Sequence, residues 1–247
     1  MMRSRSQSKH HWMVNYSSWL IDSMTMNSYK LLIFDWDGTL MDSVDQILYC
    51  MRAAIGDLEL EPRTGQQIRD IIGLGLHEAV ETLYPGREPE FAQVMADRYR
   101  HHFLSADVTV ADLFDDVDIL LEQLRSSGYL LAVATGKGRT GLDKVLNETG
   151  MGAHFHTTRC SDETRSKPHP LMLEQIMNEL DCLPEQTLMI GDSEFDLDMA
   201  NRAGVGSVGV SHGVHSCDRL VSHNPLGCLD RVADLHSWLS DELSKSA

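Results

Sequence analysis

The first clear hydrophobic pattern in the chain is Lys30–Phe34 (KLLIF), an apolar run cut off at Asp35. Short length without polar alternation predicts a strand buried on both faces. Asp37-Gly38 predicts a turn, and a helix is expected from Ser43 to about Asp57. Residues 58–112 carry helical patterns, punctuated by Pro62, Pro85-Gly86 and Pro89, and no strand pattern. Beyond them strands and helices alternate. A helix at about 114–127 ends near Gly128, and a strand follows at Tyr129–Ala134 (YLLAVA). Next come a helix at 139–149, a short strand near His154–Thr157, a helix at about 170–181 and a strand at Thr187–Ile190. A helix at 194–203 closes at Gly204, a strand covers Val205–Val210, and helices near 216–223 and 231–243 finish the pattern.

Strands alternating with helices imply βαβ units, hence an α/β fold with a doubly wound parallel sheet covered on both faces. The all-helical stretch interrupts that alternation directly after the first strand and reads as an inserted α-helical cap. The domain reading is a core of residues 28–44 and 113–247 with a cap at 45–112. Residues 1–27 are basic and serine-rich, with no sustained apolar segment or clear cleavage site. They are expected to be a disordered extension outside the fold rather than a signal peptide.

Composition narrows the function. Of 247 residues, 42% are hydrophobic, enough for a real core, and the formal net charge is −16. Such a charge argues against nucleic acid or an anionic membrane as partner, since both need a basic surface. It also means that any phosphate-binding site must overcome the protein's own field with a metal or a few placed cations. The cysteines, Cys50, Cys160, Cys182, Cys217 and Cys228, are odd in number and include no Cys-x-x-Cys pair. Neither a disulfide framework nor a zinc site is expected, and a reducing cytoplasm fits. No run of apolar residues is long enough to span a membrane.

Open parallel sheets bind ligands beyond the carboxyl ends of their strands. After the first strand stands Asp35-Trp36-Asp37-Gly38-Thr39-Leu40. After the second stands Thr135-Gly136-Lys137, and before the helix at 170 stands Lys167-Pro168. Gly191-Asp192-Ser193-Glu194-Phe195-Asp196 follows the strand ending at Ile190. Taken singly, each has an ordinary reading: a turn, a helix cap, a solvated loop. Together, at strand ends on one side of a sheet, they supply carboxylates, a hydroxyl and ammonium groups, the inventory of phosphoryl transfer with a hard-cation site.

Asp35-Trp36-Asp37-Gly38-Thr39-Leu40-Met41-Asp42-Ser43 resembles the first motif of the haloacid dehalogenase superfamily, DxDGTLxDS. Thr135 is similar to its second motif, Lys167 in Ser166-Lys167-Pro168 to its third, and Gly191-Asp192-Ser193-x-x-Asp196 to its fourth. The resemblance covers about residues 28–243 and is nearest to the phosphoglycolate-phosphatase-like subgroup, whose helical cap lies between the first two motifs. Ile72-Gly73-Leu74-Gly75-Leu76 resembles the cap loop of that group, making Gly73, Leu74 and Gly75 candidate substrate contacts. The resemblance implies a Rossmann-like core and a Mg²⁺-dependent phosphatase acting on a small phosphorylated metabolite, of phosphoglycolate or sugar-phosphate type, as a monomer or homodimer. It implies that Asp35 is the nucleophile and that Asp37 is the general acid and base, its backbone carbonyl also meeting the metal. It further implies Asp192 as a metal ligand, Asp196 holding Lys167 or a metal-bound water, and Thr135, Gly136 and Lys167 on the phosphoryl oxygens. The expected metal set is thus Asp35, Asp37, Asp192 and Asp196.

Lys137 and Arg139 are placed either at the site entrance or among ordinary surface charges. Asp42 is expected to start the cap-side helix, Asp198 to face solvent, and His169, His212 and His215 to be structural. Three alternatives stand beside the phosphatase. A β-phosphoglucomutase-type enzyme shares the scaffold, but the mutases this chain resembles carry Gly-x-Ser-Arg in the cap loop, where Gly75 and Leu76 stand here. A haloacid dehalogenase needs neither metal nor Asp37. A non-catalytic scaffold would have lost Asp35 or Asp192.

Overall fold

The computed structural model describes residues 29–245. The expected extension at residues 1–27 lies outside the described residues. Strand β1 (Leu31–Phe34) is completely buried, as its unbroken apolar run requires. Alternate residues serve opposite faces. Leu32 and Phe34 enter one core with Leu120, Leu121 and Leu124. Leu31 and Ile33 enter the other with Met172, Leu173 and Ile176.

Helices α1 (Val44–Asp57), α2 (Gly65–Arg69), α3 (Leu76–Leu83) and α4 (Pro89–Ser105) follow β1 directly. They bury an apolar cluster of their own, built on Met51, Ile55, Ile68, Val80, Leu83 and Met95. The chain leaves and re-enters the sheet layer at one place. Met41 bridges Leu113 in antiparallel fashion, and the Asp42 N–H donates to the Asp112 carbonyl at 2.9 Å. The helical insertion therefore rises from a paired two-strand stem.

The rest alternates as expected: α5 (Val117–Ser126), β2 (Leu130–Thr135), α6 (Arg139–Thr149), β3 (Thr157–Cys160), α7 (Leu171–Glu179), β4 (Thr187–Gly191), α8 (Glu194–Ala203), β5 (Gly206–Val210), α9 (Cys217–Leu220), β6 (Gly227–Leu229) and α10 (Leu235–Lys245). All strands pair in parallel, in the order β3-β2-β1-β4-β5-β6. The order reverses at β1, with Phe34 paired to Val133 on one side and to Ile190 on the other. A crevice at the carboxyl ends of β1, β2 and β4 follows from that reversal. No helix among the described residues is long and apolar enough to cross a membrane.

Four expectations need correction. The short strand expected at His154–Thr157 lies at Thr157–Cys160, because Gly150 in the left-handed region ends α6 and Met151–His154 form a 3-10 turn instead. The helix expected near 216–223 is the single turn of α9 followed by a 3-10 turn at Val221–His223. Residues 231–243 begin with another 3-10 turn, at Val232–Asp234, before α10. Edge strand β6 was not expected. It brings Cys228 beside Cys217, and the two form a disulfide across a Cα–Cα distance of 6.1 Å. The expectation of no disulfide framework did not foresee this bridge, because the pairing depends on β6. Cys50, Cys160 and Cys182 are free and buried.

Phe34 fills the core between β1, β2 and β4. Phe34→Ala is expected to cost about 3–5 kcal/mol of unfolding free energy, measured by urea denaturation. A loss below about 1 kcal/mol would contradict the placement of the core at this strand.

Candidate active site

Asp35 is the first residue past β1 and still belongs to the ladder, its N–H donating to the Ile190 carbonyl at 2.9 Å. Its carboxylate is buried, at 1% exposure. The chain then turns sharply. Trp36, itself buried, receives the Leu40 and Met41 N–H groups at its carbonyl. Gly38 takes φ +81°, a conformation that favours glycine. A side chain there would also collide with the Asp192 carboxylate, so space as well as conformation requires glycine.

The turn aims two side chains. Thr39 Oγ1 donates to Asp192 Oδ1 at 2.8 Å, while the Val214 N–H donates to Asp192 Oδ2 at 2.8 Å. Asp37 is held from two directions. The Ser43 hydroxyl donates to Oδ1 at 2.7 Å, and the Lys137 ammonium lies 2.9 Å from Oδ2.

Lys167 follows β3 in the loop before α7 and precedes a cis Pro168. Its Nζ lies 2.7 Å from Asp35 Oδ1 and 2.6 Å from Asp196 Oδ1, with the ammonium wholly buried. Asp196 is itself anchored as the third residue of α8, its Oδ2 accepting from the Ser193 N–H and hydroxyl in a capping box. Thr135 ends β2, and its hydroxyl oxygen accepts the Lys137 N–H at 3.1 Å.

The insertion touches this floor through the loop 73–75. The Gly75 N–H donates to Ser166 Oγ at 2.7 Å. A methyl at Gly136 would collide with the Gly73 and Leu74 carbonyls, so the loop and the end of β2 meet backbone to backbone. A cavity of about 260 Å³ remains between the layers. Asp35, Asp37, Thr135, Gly136, Gly73 and Leu74 all line it. Lys167, Asp192 and Asp196 lie beneath its floor, and Gly75 beside it on Ser166.

Among the described residues, Asp35, Asp192 and Asp196 offer carboxylate oxygens that all lie within 4.8 Å of one another. The side chain of Asp37 is not in this group, being turned to Ser43 and Lys137. Three buried carboxylates face one buried ammonium, and the charge imbalance shows in their acidities. Burial pushes the Asp35 carboxyl well above its ordinary range, Asp196 and Asp192 adding to it against the pull of Lys167. Asp192 is pushed up to about 7, by burial first and then Asp196. Burial alone would lower the Lys167 ammonium; the two carboxylates reverse that and raise it. An all-oxygen donor set with excess buried negative charge fits a hard divalent cation, which would return these carboxyls to their ionised forms.

Some contributors were not foreseen. Lys137, read as an entrance or surface charge, is buried against Asp37, with its ammonium 4.2 Å from the centre of the Phe103 ring. Arg139 instead pairs with Glu163 and Asp143 on the outside. Arg219 was given no role. It forks onto Glu194 at 2.7 and 2.8 Å and reaches Asp70 of the insertion at 3.0 Å. His212 stacks on Phe114 and meets the Thr39 carbonyl, while His215 accepts the Glu194 N–H at Nδ1. Asp198, expected in solvent, pairs with His223.

A family model of haloacid dehalogenase-like hydrolases matches residues 32–210. The chain is 32% identical to a protein of Dickeya dadantii (strain 3937) named "Probable phosphatase IndB", over 83% of this chain and 91% of that one. It is 28% identical to a phosphoglycolate phosphatase of Vibrio vulnificus (strain CMCP6), over 91% of this chain and 100% of that one. A solved structure of a haloacid dehalogenase-like family hydrolase from Streptococcus pneumoniae superposes with a TM-score of 0.74 at 24% identity. That superposition covers 86% of this chain and 99% of the other and shows the shared fold.

The lowered acidities of Asp35 and Asp192 carry a signed expectation. Asp35 and Asp192 hold protons in the metal-free folded state above pH 3.8, where the unfolded chain has lost them. Their contribution to stability is therefore present at low pH and lost as pH rises, for Asp192 as pH approaches about 7. A divalent cation competes with those protons. The gain in melting temperature on adding Mg²⁺ to EDTA-treated protein is expected to be larger near pH 8 than near pH 5.5. An equal or larger gain at the lower pH would contradict this reading.

Proposed function

The chain belongs to the haloacid dehalogenase-like hydrolase family, and from that membership we propose that it is a Mg²⁺-dependent phosphatase working through a phosphorylated Asp35. Its activity is that of a phosphoric monoester hydrolase. The observation that carries the finer reading is the placement of Asp35. Its carboxylate lines the cavity, Lys167 stands 2.7 Å from it, and Asp192 and Asp196 crowd it from below.

In this reading Asp35 attacks phosphorus and the ester P–O bond breaks. Asp37 gives its proton to the departing alcohol oxygen. Asp37 then takes a proton from water, which attacks the aspartyl phosphate, releases inorganic phosphate and restores Asp35. Ser43 and Lys137 keep the Asp37 carboxyl in a single orientation for both transfers. Thr135, Gly136 and Lys167 bind the phosphoryl oxygens. Asp35, Asp192 and the main-chain carbonyl of Asp37 would hold Mg²⁺, with Asp196 steering Lys167 or a metal-bound water. When bound, the ion keeps Asp35 ionised and neutralises phosphoryl charge.

Residues 45–112 act as a cap domain over a core of 28–44 and 113–247, the paired stem at Met41–Asp42 and Asp112–Leu113 serving as hinge. Closure excludes water from the reaction. The substrate class is that of small phosphomonoesters, and phosphoglycolate, named for the Vibrio relative, and sugar phosphates are the compounds against which others are compared. We assign the enzyme to the cytoplasm, as a monomer or homodimer.

Asp35→Asn is expected to lower hydrolysis of p-nitrophenyl phosphate by at least about 10³-fold with an unchanged circular dichroism spectrum, because an amide cannot form the covalent intermediate. Asp37→Asn is expected to keep measurable turnover with the same ester, whose nitrophenolate needs little protonation. Retention of more than a few per cent by Asp35→Asn, free of deamidation, would remove Asp35 from its role.

Mutase chemistry demands a cation for a second phosphate. Leu76 stands at that place of the cap loop and cannot supply a charge-assisted fork. With β-glucose 1-phosphate, Mg²⁺ and a trace of the 1,6-bisphosphate, free phosphate is expected to appear faster than glucose 6-phosphate. The opposite order would make the enzyme a mutase.

A further inference from the structure

The cavity above Asp35 has a lining that is apolar where a leaving group would sit. Met51 of α1, Ile72, Leu74 and Leu76 of the cap loop region, and Phe103 and Leu104 of α4 surround it. Leu74, Leu76 and Leu104 are not fully buried. Leu104 keeps 40% of its surface exposed. Such surface is costly in water and is covered only when a ligand enters.

The polar members of the lining are mostly engaged already. Lys137 is held by Asp37, His77 Nε2 by Gln93, and Ser161 donates to the Gly136 carbonyl. Arg100 turns to the exposed Asp97, and the Asp162 carboxylate accepts the Arg139 N–H. Among the described residues of the lining, the Tyr99 and Thr140 hydroxyls and the N–H groups of Arg100 that Asp97 does not take remain to meet a polar atom of a ligand. Two further members, Glu78 and Asp162, are carboxylates.

These features select against two kinds of leaving group. A polyol would strip its hydroxyls of water and recover few hydrogen bonds, at a cost of roughly 1–3 kcal/mol for each group left unpaired. A carboxylate or second phosphate would meet Glu78 and Asp162 and find the two cations of the lining already paired, Lys137 with Asp37 and Arg100 with Asp97. A flat apolar group would instead cover the leucines and pack near Phe103, whose ring stacks with that of Tyr99 at 6.2 Å and 10°. The volume of about 260 Å³ lies below the roughly 300–1,000 Å³ of drug-sized pockets, so the group is small.

We propose that the leaving group of the preferred substrate is an uncharged aryl or arylalkyl alcohol carrying at most one or two polar substituents, rather than a polyol or a hydroxy acid. This rests on the phosphatase reading, because the cavity is taken as the leaving-group side of Asp35.

The test separates the two readings. Acetyl phosphate hydrolysis by the Mg²⁺-loaded wild-type enzyme reports the phosphatase chemistry alone, and its absence would overturn that reading and the substrate preference with it. Benzyl phosphate, phosphoglycolate and glycerol 1-phosphate all release primary alcohols, so their intrinsic reactivities are close. The kcat/KM for benzyl phosphate is expected to exceed the other two by at least about tenfold. Binding needs no turnover, so it judges the cavity separately. By calorimetry with Mg²⁺, benzylphosphonate is expected to bind at least about tenfold tighter than phosphonoacetate. Leu76→Arg, which brings a cation to the wall, is expected to shift both ratios towards the acid by about tenfold or more. Equal or tighter binding of phosphonoacetate by the wild type would overturn the proposal, as would a kcat/KM for phosphoglycolate or glycerol 1-phosphate at or above that for benzyl phosphate.

Discussion

The site depends on one buried ammonium. Lys167 is fully buried between Asp35 and Asp196, and Asp192 stands within the same cluster. Charges removed from water cost several kcal/mol each, and mutual attraction repays this only when geometry and further hydrogen bonds are good. The surrounding sequence supplies those bonds. Ser193 holds Asp196, and Thr39 and the Val214 N–H hold Asp192. Even so, one cation faces three carboxylates, and the lowered acidities of Asp35 and Asp192 record the imbalance. A protein of net charge −16 has no long-range field to offset it. The remedy must be local, which is why a divalent cation belongs in the argument at all.

The layers above this cluster meet through backbone at a few glycines and through the apolar side chains Cys50, Phe103 and Val108, which pack into the same cluster as Leu142 and Val145, with Phe103 also facing Lys137. Gly136 lies against the Gly73 and Leu74 carbonyls, and the Gly75 N–H reaches Ser166, the neighbour of Lys167. Glycines at these points let the insertion come close without filling the cavity. The remaining tie is the fork of Arg219 on Glu194 and Asp70, and that pair of contacts is more than a third exposed on the arginine side. Exposed pairs of this kind contribute about 0–1 kcal/mol.

How much of this could be read from the sequence follows from range. The central strands were legible because burial on both faces leaves an unbroken apolar run, as in Leu31–Phe34 and Thr187–Ile190. The edges were not. Thr157–Cys160 is half-buried and polar, and Gly227–Leu229 is three residues long, so neither carries a pattern of its own. The disulfide went unseen for the same reason. At the site, Asp35, Thr135, Lys167 and Asp192 were visible because each ends a strand or follows one. Lys137 lines the cavity, but the choice between entrance and surface stayed open because its place depends on Asp37 and Phe103, which come from another strand end and from α4. Arg219 joins residues far apart in sequence, and no local pattern marks such a partner.

Ser43 shows how the insertion and the chemistry are coupled. It is the N-cap of α1, where a serine ordinarily accepts a hydrogen bond from the first turn. Here it makes no side-chain cap, and its hydroxyl donates to Asp37 instead. An unused cap of this kind forgoes about 0.5–2 kcal/mol of helix stability. What the fold gains is a fixed distance between the acid group and the first turn of the insertion. Lys137 works from the opposite side, joining Asp37 to the Phe103 face of α4. The Asp37 carboxyl, proposed to serve the leaving group, is thus held by residues tied to both ends of the helical layer. A shift of that layer would be felt first at Asp37, before Asp35 and Lys167 move, since those two are anchored to the sheet and to α8.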